Sequence, residues 1–258
     1  MAQKKKVTAI VHSQEEIAPG IFDMWLNTEL AKEAAAGAFI ALYPRDKSTL
    51  LPRPISICQI DRVRGMLRIV YRIAGKGTAE FSAYKRGDKV EVLGVLGNGF
   101  PVAQAQGKRV LLMGGGIGIP PMLETAKQTD GEKNIILGYR DSLLFLKDEM
   151  EAHGKVTVAT EDGSRGIRGN VLDAVREHDI QGDIIFACGP MPMLRAVKQY
   201  AAQHQVEAYI SLEERMACGV GACLGCVCKT KETDHHSNVN NARICTDGPV
   251  FRAEEVDI

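Results

Sequence analysis

Five of the seven cysteines fall within residues 218–245, and four of them are spaced Cys218-x4-Cys223-x2-Cys226 with a distant partner at Cys245. Thiolates at those intervals fit a plant-type [2Fe–2S] cluster, whose loop wraps one edge of the cluster. The residues between them are small: Gly219, Gly221, Ala222 and Gly225. A backbone passing close to inorganic sulfide needs such residues, and glycine adds the positive φ that lets N–H groups aim at sulfur. A structural zinc site is the alternative, since four cysteines also make a common zinc set. Zinc ribbons usually carry two matched Cys-x2-Cys knuckles, however, and this chain has one triplet and a single cysteine. Cys228 is the expected spare, a small half-buried core residue turned away from Cys226. Cys58, in the apolar run 55–60, is expected in the core.

The second chemical group is anion-binding. Arg53-Pro54-Ile55-Ser56 offers a guanidinium fork, suited to bidentate bonds with a pyrophosphate, and a nearby hydroxyl. Gly75-Lys76-Gly77-Thr78 suggests a helix start with Thr78 as N-cap and free amides facing an anion. Gly114-Gly115-Gly116-Ile117-Gly118-Ile119-Pro120-Pro121 follows an apolar run and precedes a helical one. Its form, Gly116-x-Gly118-x-x-Pro121, departs from G-x-G-x-x-G but keeps the logic of small residues beside a diphosphate at a helix N-terminus. At the end of the next apolar run, Asp141 is placed to accept from ribose hydroxyls and repel a 2′-phosphate. Arg140 pulls the other way, so NADH is favoured over NADPH only in part.

These residues need a scaffold. Short apolar or alternating runs at 7–12, 22–26, 38–43, 55–60, 66–73 and 89–96 are separated by turn signals such as Pro19-Gly20 and Arg86-Gly87-Asp88, which predicts a small antiparallel barrel over residues 1–102. One helix is expected inside it, at 78–84. From 103 to 208 strands at 109–113, 133–138, 155–160 and 183–187 alternate with helices at 121–127, 143–153, 171–178 and 193–203, the pattern of a parallel sheet covered by helices. Residues 209–258 form a third, cysteine-rich module. His235 and His236, in the polar run 229–241, are expected as loop surface, not as Rieske ligands, because four suitable cysteines are already present.

Composition narrows the class. Charge is balanced, 32 basic against 32 acidic residues, so nucleic acid is not an expected partner. The odd cysteine count, the polar start Met1–Lys6 and the lack of any eighteen-residue apolar stretch predict a cytoplasmic protein with no membrane insertion.

Together the Arg53–Ser56 run, the Gly77-Thr78 helix start and the glycine-rich turn resemble the ferredoxin–NADP reductase superfamily, over essentially the whole chain. The resemblance implies FAD held along Arg53, Pro54, Ile55 and Ser56, flanked by Val70, Tyr71 and Arg72, with Gly77 and Thr78 on the pyrophosphate. It implies NAD at Gly114, Gly116, Gly118 and Pro121. Cys188, in Cys188-Gly189-Pro190, would lie beside the nicotinamide as a positioning thiol. The runs 93–100, 185–193 and 211–221 further resemble the family of electron-transfer subunits of NAD-dependent, two-subunit dihydroorotate dehydrogenases. Val95 departs from that family, which commonly has Pro there; a local change in the turn is expected. The implied partner is an FMN-containing catalytic subunit, in a heterotetramer of two of each, serving pyrimidine synthesis. The rivals are the small flavin subunit of an NADPH-dependent ferredoxin oxidoreductase or sulfhydrogenase, and a zinc-stapled nucleotide-binding sensor.

Overall fold

The fold was obtained as a computed structural model and is described for residues 4–233 and 238–258. His235 and His236 lie outside the described residues. Six strands, β1 (Lys5–Ala18), β2 (Ile21–Asn27), β3 (Phe39–Tyr43), β4 (Arg53–Asp61), β5 (Met66–Arg72) and β6 (Lys89–Leu96), close into an antiparallel barrel in the order β1-β2-β5-β4-β3-β6. Closure leaves no free sheet edge, and inward residues such as Met24, Leu26, Ile57, Leu67 and Ile69 fill the interior completely. β1 runs on to Ala18, past the apolar run at 7–12, because its pairing with β2 continues across two bulges. The Gly94–Val95 peptide is cis, and Val95 packs against the barrel core. Helix α1 (Lys76–Ser82) bridges β5 and β6.

The second unit runs β7 (Arg109–Gly115), α2 (Ile119–Gln128), β8 (Glu132–Tyr139), α3 (Lys147–Glu151), β9 (Lys155–Thr160), β10 (Ile167–Arg168), α4 (Val171–Glu177), β11 (Ile184–Cys188), α5 (Met191–His204) and β12 (Glu207–Ser211). Its strands are parallel, in the order β10-β9-β8-β7-β11-β12. The chain leaves β7 toward β8 and later returns on the other side at β11. The carboxyl ends of β7 and β11 therefore flank a switch point, where open α/β sheets bind ligands. The helix expected over 143–153 is confined to α3. Asp141 Oδ1 accepts from Leu143 N at 2.9 Å, and Leu146 takes a left-handed φ of 63°, so the chain before Lys147 is spent on turns.

The cysteine-rich segment carries a two-stranded ladder, β13 (Val227–Lys229) with β14 (Asn241–Arg243), and then β15 (Val250–Arg252), which pairs antiparallel with β12. It thus adds the edge strand to the parallel sheet. Cys226, Ile244, Cys245 and Phe251 share one buried cluster with Phe39, Leu93 and Leu96 of the barrel and with Ile210 and Leu212. Among the described residues no helix is long and apolar enough to cross a membrane.

Candidate functional site

A cavity of about 580 Å³ lies where the barrel, the glycine-rich turn and the chain entering the cysteine loop meet. Arg53, Pro54, Ile55, Ser56, Val70, Tyr71, Arg72 and Thr78 all border it. Arg53 Nη1 donates to Leu51 O at 2.6 Å. Gly77 is buried under the Arg53 side chain: a Cβ there would stand 2.8 Å from Nε and 3.1 Å from Cζ. The missing side chain is what lets the guanidinium lie across the start of α1. The first amides of a helix have no intrahelical acceptor, so a cationic fork and a set of N–H donors sit side by side, which suits a diphosphate.

One detail differs from expectation. The helix begins at Lys76, with Gly75 as N-cap, so Thr78 is in the first turn and is not the cap. Its hydroxyl instead accepts from Ala74 N at 2.8 Å and Gly75 N at 3.2 Å, tying the preceding loop back to the helix. Tyr71 is buried against Phe22 and Phe81, with its hydroxyl donating to Gln14 Oε1 at 2.8 Å. Burial raises that phenol well above its ordinary range.

In the nucleotide turn the glycines divide by role. A Cβ on Gly115 would meet Met193 Sδ at 2.5 Å, and one on Gly118 would strike the Cys188 carbonyl. These two are small because the turn after β11 packs on them. Gly116, with φ of 53°, faces open space and is the position where a ligand can approach the backbone. Gly114 packs against Ile119 and Met122, and Pro121 is buried in the first turn of α2. Asp141 lies just beyond β8 at the carboxyl edge of the sheet, and its bond to Leu143 N fixes the carboxylate in place.

Cys188 ends β11 opposite Gly114 of β7 and Ser211 of β12, at the switch point. It is 1% exposed. Burial pushes its thiol far above the ordinary range, the nearby Glu213 charge adds to this, and the Ser211 hydroxyl opposes it. A neutral, enclosed thiol is a packing and positioning group, not a nucleophile.

The four cysteines expected as ligands gather in the loop as two neighbouring pairs. Cys218 contacts Cys223, and Cys245 contacts Cys226. Val220 N and Ala222 N donate to Cys218 Sγ at 3.4 and 3.3 Å, and Gly225 N to Cys223 Sγ at 3.4 Å. Burial raises the Cys218 thiol, but the amides of Val220, Ala222 and Cys223 and the Cys223 side chain outweigh it and bring it down to about 6. Burial and the neighbouring Cys226 push Cys245 up to about 12. Among the described residues no three metal-ligating side chains converge as they would around one ion. Thiol pairs with amides aimed at sulfur suit an iron–sulfur cluster, whose anionic sulfur takes N–H donors. Gly221 has φ of 82° and would collide with Thr246 if it bore a side chain, so the loop needs glycine there. Cys228 is half-buried opposite Ala242 in β13. The expectation that it faces away from Cys226 needs correcting, since residues two apart on a strand share a face. Cys226 is set apart because it precedes β13, deeply buried, where it meets Cys245.

Residues 213–257 match the family described as the iron–sulfur cluster binding domain of dihydroorotate dehydrogenase B. The chain is 42% identical to the dihydroorotate dehydrogenase B (NAD+) electron transfer subunit of Bacillus velezensis, over 98% of this chain and 99% of the relative. It is 44% identical to the same subunit of Streptococcus pneumoniae strain R6, over 96% and 97%. The chain belongs to this family of electron transfer subunits. A solved NADH-dependent reduced ferredoxin–NADP oxidoreductase, described for flavin-based electron bifurcation, superposes with a TM-score of 0.86 at 29% identity, covering 96% of this chain and 89% of that one. A Neisseria gonorrhoeae ferredoxin NADP+ reductase with bound FAD and NADP has the same fold, with a TM-score of 0.66 at 16% identity over 83% and 95%.

Sequence reasoning about this electron transfer subunit missed Ile117 and the run Glu213–Met216, which also border the cavity. The available signal was an acidic pair directly after a buried strand and directly before the cysteine loop. Glu213 is exposed toward the cavity; desolvation by the protein around the cavity wall raises its carboxyl, and Arg72 draws it back down.

Proposed function

We propose that this subunit carries electrons between an FMN-containing dihydroorotate dehydrogenase catalytic subunit and NAD in pyrimidine synthesis. Cys218, Cys223, Cys226 and Cys245 would hold a [2Fe–2S] cluster, and Arg53, Ser56 and the first turn of α1 would hold one non-covalent FAD. When bound, the flavin exchanges hydride with a nucleotide and single electrons with a cluster, which carries one electron at a time. The observation that carries the reading is the cavity's position. Its walls come from the barrel and from Ile117 of the nucleotide turn, and Ser211–Met216 lead from it directly to Cys218. One short path therefore joins all three sites.

The chain's own residues would do the rest. Arg53 neutralises the pyrophosphate, Gly116 admits the nucleotide diphosphate to the backbone, and Asp141 accepts from the ribose hydroxyls. Cys188, neutral and enclosed, shapes the nicotinamide end. Val220 and Leu224, 43% and 63% exposed, offer a small apolar face on the cluster loop, the kind of patch that a partner covers. A heterotetramer of two of each subunit, in the cytoplasm, completes the proposal.

The 29% identity to the ferredoxin–NADP oxidoreductase favours a second reading, a flavin subunit of that kind of enzyme; the 42–44% identities favour the first. Addition of an FMN-containing dihydroorotate dehydrogenase subunit to the loaded chain separates them. NADH formation from dihydroorotate and NAD+ by the mixture, and none by the isolated chain, supports the proposal. No assembly with that subunit, or a preference for NADPH, would support the rival.

A further inference from the structure

We propose that Glu124, assisted by an Arg68–Glu149 ion pair, is a positioning residue that sets the nucleotide turn against the flavin strand. The inference rests on the NAD and FAD reading above. Helix α2, which carries Glu124, starts at the Gly116–Gly118 turn, and strand β4 starts at Arg53. Glu124 is 1% exposed, and its Oε2 accepts from the backbone N of Ile60 on β4 at 2.8 Å. β3 pairs with β4 from Arg53 to Ser56, and Ile57 N reaches Ala38 O. Farther along β4 the Ile60 amide is taken by this carboxylate. Oε1 accepts from Gln128 Nε2 at 2.6 Å, and Lys127 Nζ stands 4.0 Å from Oε2.

The surroundings do not call for a charge. Met122, Leu123 and Ala126 of α2 pack in one apolar cluster with Cys58 and Val70 of the barrel. An apolar side chain at 124 would bury surface as well, but apolar contacts are non-directional and tolerate sliding. A carboxylate bonded to one backbone amide fixes the offset along the strand, the kind of specificity a buried polar group can supply. A second tie prevents rotation about the first. Arg68 of β5, 7% exposed, bonds Asp23 Oδ2 in the barrel at 2.6 Å and Glu149 Oε2 on α3 at 2.5 Å. Hydride transfer needs donor and acceptor within a narrow range, and both carriers would rest on elements held by these ties.

Glu124→Met removes the acceptor, and Glu124→Gln keeps one. Hydrogen exchange on the chain without cofactors reads the latch itself: the Ile60 amide should exchange at least about tenfold faster in the Met variant and near the wild-type rate in the Gln variant. In the full chain loaded with flavin and cluster, the limiting rate of flavin reduction by NADH in Glu124→Met should fall roughly tenfold, within the hundredfold that a misplacement of about 1 Å can cost. The NADH half-saturation concentration should be unchanged, and Glu124→Gln should restore the rate. Glu149→Gln, at a half-exposed position, should lower the same rate less and serves if the Met variant does not fold. The proposal is overturned by a wild-type limiting rate in folded Glu124→Met, or in Glu149→Gln where the Met variant is unfolded. It is also overturned if Glu124→Gln behaves as the Met variant does. A wild-type chain whose flavin NADH does not reduce refutes the NAD reading instead, and the exchange comparison still decides the latch.

Discussion

Replacing Gly77 by Ala should move stability and flavin affinity in opposite directions. The added Cβ would stand 2.8 Å from Arg53 Nε, so the guanidinium must retreat by about 0.6 Å to reach an ordinary 3.4 Å contact. Arg53 is a long side chain half-open to the cavity and can make that shift at little cost to the fold. Position 77 lies in the first turn of α1, where exchanging Gly for Ala favours the helix by up to about 1 kcal/mol. The apo chain should therefore melt at an unchanged or slightly higher temperature. A charge-assisted hydrogen bond is worth about 1.5–3 kcal/mol, so a guanidinium pushed off the pyrophosphate should weaken FAD binding roughly ten- to a hundredfold. Fluorescence titration of the flavin-free chain with FAD measures the affinity, and thermal unfolding of the same sample measures the stability. Arg53→Ala should give a similar loss of affinity, and the double variant should lose little more. Unchanged affinity in Gly77→Ala, or losses that simply add, would refute the assignment of this contact to the pyrophosphate.

Cys228→Ser should retain about two iron and two sulfide per chain, whereas Cys245→Ser should lose them; metal analysis and the visible spectrum check both. Asp141→Ser should narrow the preference for NADH over NADPH, read as the ratio of kcat/KM values. Side-chain and backbone hydrogen bonds from Arg109 lower the Asp183 carboxyl from 3.8 to about 2. The unfolded state then binds more protons between those values, so this contribution is present above pH 3.8 and lost as pH falls through about 2. Asp183→Asn should flatten the fall of melting temperature across that window, and only slightly, because the pair is solvent-exposed.

Local signals survived into the structure best. The cysteine spacing, the Arg53–Ser56 run and the strand–glycine–helix order at Gly114–Pro121 are contiguous, and each was legible before the fold was known. What failed depends on residues far apart in sequence. β12 and β15 are short strands that form through distant partners, β12 on β11 and β15 on β12 across the cysteine loop. Gly118 looked like a ligand-facing glycine, yet its neighbour is the Cys188 carbonyl, brought there by β11. Glu213 borders the cavity, and Glu124 reaches Ile60, through contacts that no spacing rule encodes. Thr78 was misassigned as a cap for a different reason: Gly75 begins the helix with no side chain, and a threonine in the first turn reaches back to do part of a cap's work.

The most direct test of the electron-transfer assignment is NAD+ reduction by dihydroorotate, followed at 340 nm, in a complex of this chain with its FMN-containing catalytic subunit. The account predicts NADH formation by the wild-type complex. It predicts loss of that activity in Cys245→Ser, whose own flavin should still be reduced by NADH, and weakened assembly in Leu224→Glu. NADH formation that continues with Cys245→Ser, or a chain that binds no FMN subunit, would contradict it.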